Sequence, residues 1–251
     1  MLHEKTKVRI IETHCANSAE NMATDEALLK NFVYNDSTIF RLYTWESDSL
    51  TIGASQKLSD YKLAHKYNDT YAKRITGGGI LYHGHDLSYS LIIPTEILKE
   101  YTIKQSYEKI CSFILTFYRK LGLKTCFAKD NDQIELSKSA YCQVGYEAYD
   151  ILVDGQKIGG NAQRRTKKAI FQHGSIPIYS TSINGIINPQ TGISLEDIGI
   201  KIDYQKASEL LIESFKESFN VECENSSLSP QEFKTKEELL KDKYDYASDK
   251  L

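Results

Sequence analysis

The chain has 251 residues, of which 41% are hydrophobic and 26% charged, as in an ordinary globular protein. Its formal net charge of −3 provides no basic excess that would favour nucleic-acid binding. No stretch approaches the roughly eighteen consecutive apolar residues of a membrane span, so we expect a cytoplasmic protein without a membrane partner.

The cysteines argue against disulfides and zinc. There are five, widely scattered and without a CxxC pair, which excludes a typical disulfide framework or cysteine-rich zinc site. We therefore expect reduced thiols and no bound metal. The cysteines are Cys15, Cys111, Cys126, Cys142 and Cys223.

Strand and helix patterns alternate in the first half of the chain. VRIIET predicts a first strand, and Asn17 to Glu20 form a capping-box pattern before the helical sequence NMATDEALLKNFV. TIFRLYTW and SLTIG indicate a hairpin, and SDYKLAHKYN a short helix. AKRIT and DLSYSLIIP, with the glycine run between them, indicate a second strand pair.

The second half adds a long helix and another hairpin. Thr102 and Gln105 predict the capping box of an amphipathic helix that runs to about Gly122 with Cys111 on its apolar face. Asp154-Gly155 predicts a hairpin turn, AIFQHGSIPIY a further strand, and the chain from about residue 203 is expected to be helical. We therefore predict one α+β domain over 1–251, with a mainly antiparallel mixed sheet flanked by helices.

The run of three glycines, Gly77 to Gly79, is the most unusual local feature. Glycine loses more backbone entropy on folding than any other residue, so such a run usually serves a positive φ or a close backbone approach. Arg74 precedes the run and His83 follows it. Exposed backbone N–H groups here would suit a carbonyl or phosphate oxygen, although a simple tight turn is also consistent with the spacing.

Five segments, in order, resemble the family of lipoate–protein ligases, octanoyltransferases and biotin protein ligases. The glycine segment is similar to the family's Arg-x-(Ser/Thr)-Gly-Gly-Gly signature, and the lysine segment to its Gly-x-Lys-x-x-Gly-Ser-Ala-Gln stretch. Asn161 replaces the serine of that stretch. The segments are NMATDEALL, FRLYTWESDSLTIGASQ, KRITGGGILYHGHDLSYSL, DGQKIGGNAQRR and FQHGSIPI.

The resemblance implies a biotin/lipoate protein ligase-like catalytic domain that binds an acyl chain and its carbonyl head group. The same resemblance assigns the residues that border the acyl group and its phosphate-bearing carrier. These are Arg74, Gly77, Gly78, Gly79, His83, Tyr89, Gly160, Asn161, Ala162 and His173.

Cys142 and Lys157 favour one chemistry within the family. Cys142 precedes Tyr149 by seven residues and Lys157 by fifteen, a spacing that resembles the thiol-dependent octanoyltransferases. The resemblance then implies that octanoyl-acyl carrier protein donates its acyl group to Cys142. A lysine of a lipoyl domain or of the glycine-cleavage H protein would accept it, with Lys157 assisting and no cofactor required.

Three alternatives remain open at this point. An ATP- and magnesium-dependent lipoate–protein ligase would activate a free acid, and an amidotransferase would move the acyl group from the H protein to lipoyl domains. A non-catalytic acyl-binding relative would not need Lys157.

Overall fold

The computed structural model describes residues 7–33, 37–47, 49–57, 71–136, 146–188 and 191–244. Its strands and helices alternate along much of the chain, as the sequence predicts. In chain order they are β1 (Lys7–Ala16), α1 (Ser18–Asn31), β2 (Ile39–Trp45), β3 (Leu50–Ile52), β4 (Tyr71–Lys73), β5 (Leu81–Tyr82), β6 (Asp86–Pro94), α2 (Ile103–Lys120), β7 (Thr125–Phe127), β8 (Ile151–Val153), β9 (Gln156–Lys157), β10 (Gly160–Arg165), β11 (Ala169–Pro177), α3 (Tyr204–Phe219), β12 (Glu222–Asn225) and α4 (Pro230–Asp242).

A six-stranded sheet in the order β10-β11-β6-β2-β1-β12 forms the centre of the fold. Strand β1 pairs in parallel with β2 and β12, and the remaining pairs are antiparallel. Two three-stranded sheets, β4-β3-β5 and β7-β8-β9, lie beside it. The predicted α+β class with a mainly antiparallel mixed sheet is therefore confirmed.

Helices cover both faces of the large sheet because its strands alternate two apolar sets of side chains. On one face Phe40 and Tyr89 pack with Phe113 of α2 and Phe215 of α3. Buried residues of α1 pack against the other face, and α4 packs against α1. Thr102 and Gln105 form the capping box that the sequence predicts.

The hairpin prediction for β8 and β9 is confirmed. Asp154 and Gly155 have φ values of 48° and 81°, and both therefore adopt the left-handed conformation that a tight two-residue hairpin turn requires. The C-terminal helices α3 and α4 also form, although β12 separates them and joins the edge of the sheet.

Two other predicted strand pairs are wrong. Strand β2 does not pair with β3, because β1 and β6 already occupy both of its edges. Likewise β4 pairs with β3 in a small sheet, whereas β6 lies between β2 and β11. The prediction pairs strands that are neighbours in the sequence. Strands β2 and β6 are instead buried on both faces, which favours central positions in the six-stranded sheet. The helix predicted over 59–68 lies outside the described residues.

Within those ranges, none of the helices has the length and apolarity needed to cross a bilayer.

Candidate active site

A cleft opens where β2, β6, β10 and β11 approach the small β4-β3-β5 sheet. One part of its wall is apolar and aromatic, formed by Met22, Tyr43, Trp45 and Leu81. Backbone and small side chains of β10 and β11 form another part. Polar groups are gathered around Thr51, Arg74, His83 and His173, so the cleft combines an apolar volume with hydrogen-bonding groups.

Arg74 begins a buried chain of hydrogen bonds. Its guanidinium donates to the Thr51 hydroxyl at 2.7 Å and to the carbonyls of Gly77 and Gly79. Because Arg74 is the donor, the Thr51 hydroxyl can donate in turn to Nε2 of His83, 2.8 Å away. The sequence singled out Arg74 and His83 but missed Thr51, which connects them.

Asp86 holds the other end of this chain. Its Oδ2 lies 3.0 Å from Nδ1 of His83 and accepts hydrogen bonds from Ser88 and Ser175 at 2.9 and 2.7 Å. Burial raises the pKa of Asp86, but the adjacent His83 and the hydroxyl donors outweigh it and place the pKa well below its usual range. The Trp45 ring stacks on His83 at 3.7 Å between centroids, which fixes the plane of the imidazole.

A second buried carboxylate, Asp25 of α1, organises the neighbouring part of the cleft. It accepts hydrogen bonds from Arg41 and Ser90 at 2.7 Å, and its Oδ2 lies 3.7 Å from Nδ1 of His173. Burial raises the pKa of Asp25, but Arg41 and His173 reverse the effect and leave it lowered. Nε2 of His173 lies 2.6 Å from the hydroxyl of Thr76, so this network reaches the residue before the glycine run.

Glycines within the Gly77–Gly79 run, and Gly53 packed against it, have different structural roles. Gly78 has a φ of 100°, which favours glycine. A Cβ on Gly53 would lie only 2.0 Å from the carbonyl oxygen of Gly78, so the two backbones pack too closely for any side chain. Gly77 is exposed at ordinary φ, and a Cβ there would meet nothing within 4 Å. The fold itself therefore explains glycine at 53 and 78 but not at 77.

Asn161, which replaces the family serine, is held by two tyrosines. Its Oδ1 accepts from the Tyr89 hydroxyl at 2.7 Å, and its backbone carbonyl accepts from Tyr107 at 3.1 Å. A Cβ on Gly174 would lie 2.2 Å from the same Oδ1, so the glycine on the facing strand makes room for the longer amide. Tyr89 itself is completely buried and contacts the cleft through Asn161.

Lys157 on β9 forms an ion pair with Asp150. The Nζ–Oδ2 distance is 2.6 Å, and the two side chains are 8% and 10% exposed. Oδ2 of Asp150 also accepts the backbone N–H of Glu147 at 2.7 Å. Burial raises the pKa of Asp150, and the ammonium of Lys157 opposes that shift. Lys157 is therefore fixed to the turn that follows the Cys142 segment.

Comparison with known proteins identifies the family. The model of the lipoyl protein ligase A/B catalytic domain matches residues 17–191. The octanoyltransferase LipM of Anoxybacillus flavithermus is 30% identical in an alignment that covers 96% of this chain and 97% of that protein. The chain belongs to the lipoyl protein ligase A/B family. LipM of Bacillus subtilis is 34% identical over 69% of this chain, and the match spans 66% of that relative.

Solved structures of this family have the same fold. A lipoate-protein ligase A bound with ATP superposes with a TM-score of 0.76 at 21% identity, covering 96% of each chain. A bipartite lipoate protein ligase of Thermoplasma acidophilum gives 0.73 at 21% identity, covering 96% of this chain and 94% of that one. At this identity the similarity establishes the fold, and the site has to be interpreted from its own residues.

The structure brings together most of the residues that the sequence selected for binding. Arg74, His83, Gly160, Asn161, Ala162 and His173 line the cleft, and Arg74 contacts two carbonyls of the Gly77–Gly79 run. Tyr89 supports Asn161 from behind. Cys142 lies outside the described residues. In the part of the chain that is described, no cluster of three His, Cys, Asp or Glu side chains is arranged to hold a metal ion.

Sequence reasoning missed the two carboxylates and the threonines that bind the histidines. Asp25 and Asp86 are both buried. Each lies in a segment that resembles the family, but neither residue was predicted from the sequence as part of the site. A usable signal was present for Asp25, because NMATDEALL holds two adjacent carboxylates, Asp25 and Glu26, in a predicted helix of mostly small or apolar residues, and a carboxylate that is buried there needs a partner. Arg41, in the strand that pairs with β1, is that partner.

Proposed function

We propose that this protein is an octanoyltransferase of lipoate biosynthesis, which moves an octanoyl group from octanoyl-acyl carrier protein to a lysine of a lipoyl domain or of the glycine-cleavage H protein. The observation that carries the proposal is the similarity to LipM octanoyltransferases along nearly the whole chain. The cleft supports it, because apolar and aromatic side chains lie next to Arg74 and His83, a combination that suits an acyl chain with a carbonyl head group.

The first half-reaction transfers the acyl group to Cys142. The Cys142 thiolate attacks the octanoyl carbonyl, the new C–S bond forms, and the bond to the carrier's phosphopantetheine sulfur breaks. That sulfur leaves as a thiolate and takes a proton. A thioester is exchanged for a thioester, so the activation of the acyl group is kept for the second step and ATP is not needed.

The second half-reaction forms the amide. The amine of the acceptor lysine attacks the acyl-Cys142 carbonyl, loses a proton, and expels the cysteine thiolate. Negative charge develops on the carbonyl oxygen in both steps. We assign stabilisation of this charge to Lys157, whose nearly buried ammonium group is held by Asp150, eight residues after Cys142 in the sequence. Exposed backbone N–H groups of the glycine run would assist.

The donor decides between this reaction and its competitors. The purified protein and an apo-lipoyl domain are incubated with octanoyl-acyl carrier protein, with octanoate plus ATP and magnesium, or with octanoylated H protein, and the acceptor mass is measured. We expect modification from octanoyl-acyl carrier protein without ATP. Modification only with octanoate plus ATP indicates a ligase, and modification only from the H protein indicates an amidotransferase.

The intermediate can be tested without the acceptor. Octanoyl-acyl carrier protein alone should leave an acyl adduct that hydroxylamine removes at neutral pH, as it does thioesters but not amides. Cys142→Ala should abolish the adduct, whereas the matched variants Cys126→Ala and Cys223→Ala should retain it. An active Cys142→Ala enzyme would overturn the thioester mechanism.

A further inference from the structure

The end of β10 and the turn that leads to β11 carry a cluster of positive charge. Arg164, Arg165, Lys167 and Lys168 are all exposed and occur within five residues of a chain whose net charge is −3. Across the described ranges, none of the four forms an ion pair with a carboxylate, whereas Lys120, Lys129 and Lys243 all do. Four unneutralised cations in one turn cost electrostatic repulsion, so their clustering indicates an anionic partner.

Exposed apolar side chains lie directly beside this turn. Ile97, Tyr101 and Ile103 are 52%, 46% and 68% exposed, and they occupy the connection from β6 to α2. Two contacts join this connection to the turn: the Thr95 backbone N–H donates to the carbonyl of Lys168 at 3.0 Å, and Arg165 donates to the Ser106 hydroxyl. The basic–apolar surface, as we define it, consists of Ile97, Tyr101, Ile103, Arg164, Arg165, Lys167 and Lys168.

Acidic residues do not cancel the charge of this surface. Glu96 is near the apolar residues but pairs with Lys99, and Glu100 is the other exposed carboxylate of the same connection. Glu26 lines a groove together with Arg164, Lys167 and Lys168, but it pairs with Lys30 and Lys243. A cationic rim next to apolar side chains fits a protein partner that is acidic and also has apolar contact residues, because the charges steer the encounter and the apolar contacts hold it.

The surface is connected to the cleft by a single strand. Strand β10 contributes Asn161 and Ala162 to the cleft and ends at Arg165 in the turn, a separation of about 10 Å at the usual rise of a strand. Arg164 also donates to the carbonyl of Ile75, the residue before Thr76. A partner on this surface therefore sits beside the cleft without covering it.

We propose that the basic–apolar surface docks the acyl donor, a small acidic carrier domain that presents the octanoyl thioester on a flexible phosphopantetheine arm. The proposal rests on the proposed octanoyltransferase function. The offset from the cleft selects the donor over the acceptor, since a long arm spans such a distance, whereas the acceptor must bring a lysine side chain of only four methylenes to the carbonyl.

The test compares two octanoyl thioester donors that share the pantetheine part of the arm. Octanoyl-acyl carrier protein has the carrier domain, and octanoyl-pantetheine does not. The variant is Lys167→Glu/Lys168→Glu, whose side chains are exposed and outside the cleft. The control Lys201→Glu/Lys216→Glu makes the same change in net charge in α3 and the loop before it, at exposed lysines that neither line the cleft nor belong to the basic–apolar surface.

We expect the turn variant to lower kcat/KM for octanoyl-acyl carrier protein by about tenfold or more at low salt, with a weaker salt dependence than the wild type. Its kcat/KM for octanoyl-pantetheine should stay within about twofold of the wild type, which also shows that the variant is folded. The control should behave as the wild type with both donors. Equal loss with both donors, no loss with either, or a raised KM for the acceptor lipoyl domain instead of the donor would overturn the proposal.

Direct binding separates this proposal from the proposed function. Fluorescence anisotropy of labelled acyl carrier protein is measured against the wild-type protein and the turn variant, without turnover. If the wild type uses neither thioester donor, the proposed function fails. Binding of the carrier protein to the wild type that is lost in the turn variant would still support the proposal that the basic–apolar surface docks the carrier. Equal binding by both proteins refutes it.

Discussion

Replacing Gly53 with alanine should destabilise the protein through one contact. The new Cβ would lie 2.0 Å from the carbonyl oxygen of Gly78, where real Cβ atoms keep at least 3.0 Å, and this backbone oxygen cannot rotate away as a flexible side chain would. One of the two segments must move by about 1 Å, and overpacking of this kind costs about 1–3 kcal/mol of unfolding free energy. For a chain of this length that corresponds to a fall in Tm of about 2–12 °C.

Gly77→Ala is the matched comparison, because it adds the same methyl group at the residue next to the colliding Gly78. A Cβ there meets nothing within 4 Å, and the residue does not have a positive φ. Stability should therefore stay within about 0.5 kcal/mol of the wild type. If the glycine run must lie against the acyl head group, the exposed methyl group should nevertheless lower transfer activity by about tenfold or more.

Thermal unfolding and octanoyl transfer to a lipoyl domain, measured on both variants, test this pair. The expected result is a crossed pattern: Gly53→Ala loses Tm, and Gly77→Ala keeps Tm but loses activity. A Gly53→Ala protein with wild-type Tm would contradict the close packing of the two segments. A fully active Gly77→Ala protein would show that the first glycine of the run does not contact substrate.

Three further predictions use the buried charges and thiols. Asp150→Asn removes the carboxylate that pairs with Lys157 and should lower the unfolding free energy by about 1–3 kcal/mol in urea titrations. If the loss comes from the broken ion pair, the double variant Asp150→Asn/Lys157→Met should recover part of it, because no ammonium group is then buried without its carboxylate. Burial lowers the pKa of His173, so the unfolded chain binds a proton that the folded protein excludes, and the unfolding free energy should fall as the pH drops below about 6.5. His173→Gln should show a weaker fall of the unfolding free energy between about pH 7.5 and 5.5. The same pH dependence in this variant and the wild type would contradict the assignment. Burial raises the pKa of the Cys111 thiol to about 12, so iodoacetamide at pH 7.5 should leave it unlabelled in the native protein and label it in urea, as peptide mass mapping would show.

The sequence was sufficient for the elements that depend on local signals. The capping box of Thr102 and Gln105, the Asp154-Gly155 turn and the amphipathic pattern of α2 involve residues close in the chain, and all three are confirmed. Pairing of β2 and β3 was wrong because strand partners depend on the burial of whole strands, which adjacent residues do not encode.

The site was predictable only as a set of segments. The resemblance selected Arg74, His83 and His173, yet what positions them are contacts between residues far apart in the chain. Thr51 lies 23 residues before Arg74, and Thr76 lies 97 residues before His173. No local pattern distinguishes these threonines from surface ones, so their roles are visible only when the strands are assembled.

The placement of the cysteines narrows which thiol can carry an acyl group. Burial raises the pKa of Cys111 to about 12, and burial also raises the pKa values of Cys126 and Cys223, so these thiols are poor sources of thiolate near neutral pH. Among the other two, Cys15 is exposed at the end of β1 and is not among the residues that line the cleft. Cys142 lies outside the described residues, five positions before Glu147, which begins the turn that contains Asp150, the partner of Lys157. An ammonium group beside a thiol stabilises its thiolate, and we propose Lys157 for that role. If Cys142 is the nucleophile, then Lys157→Met should slow formation of the acyl adduct more than it slows release of the acyl group to the acceptor, because only the first step begins from the free thiolate.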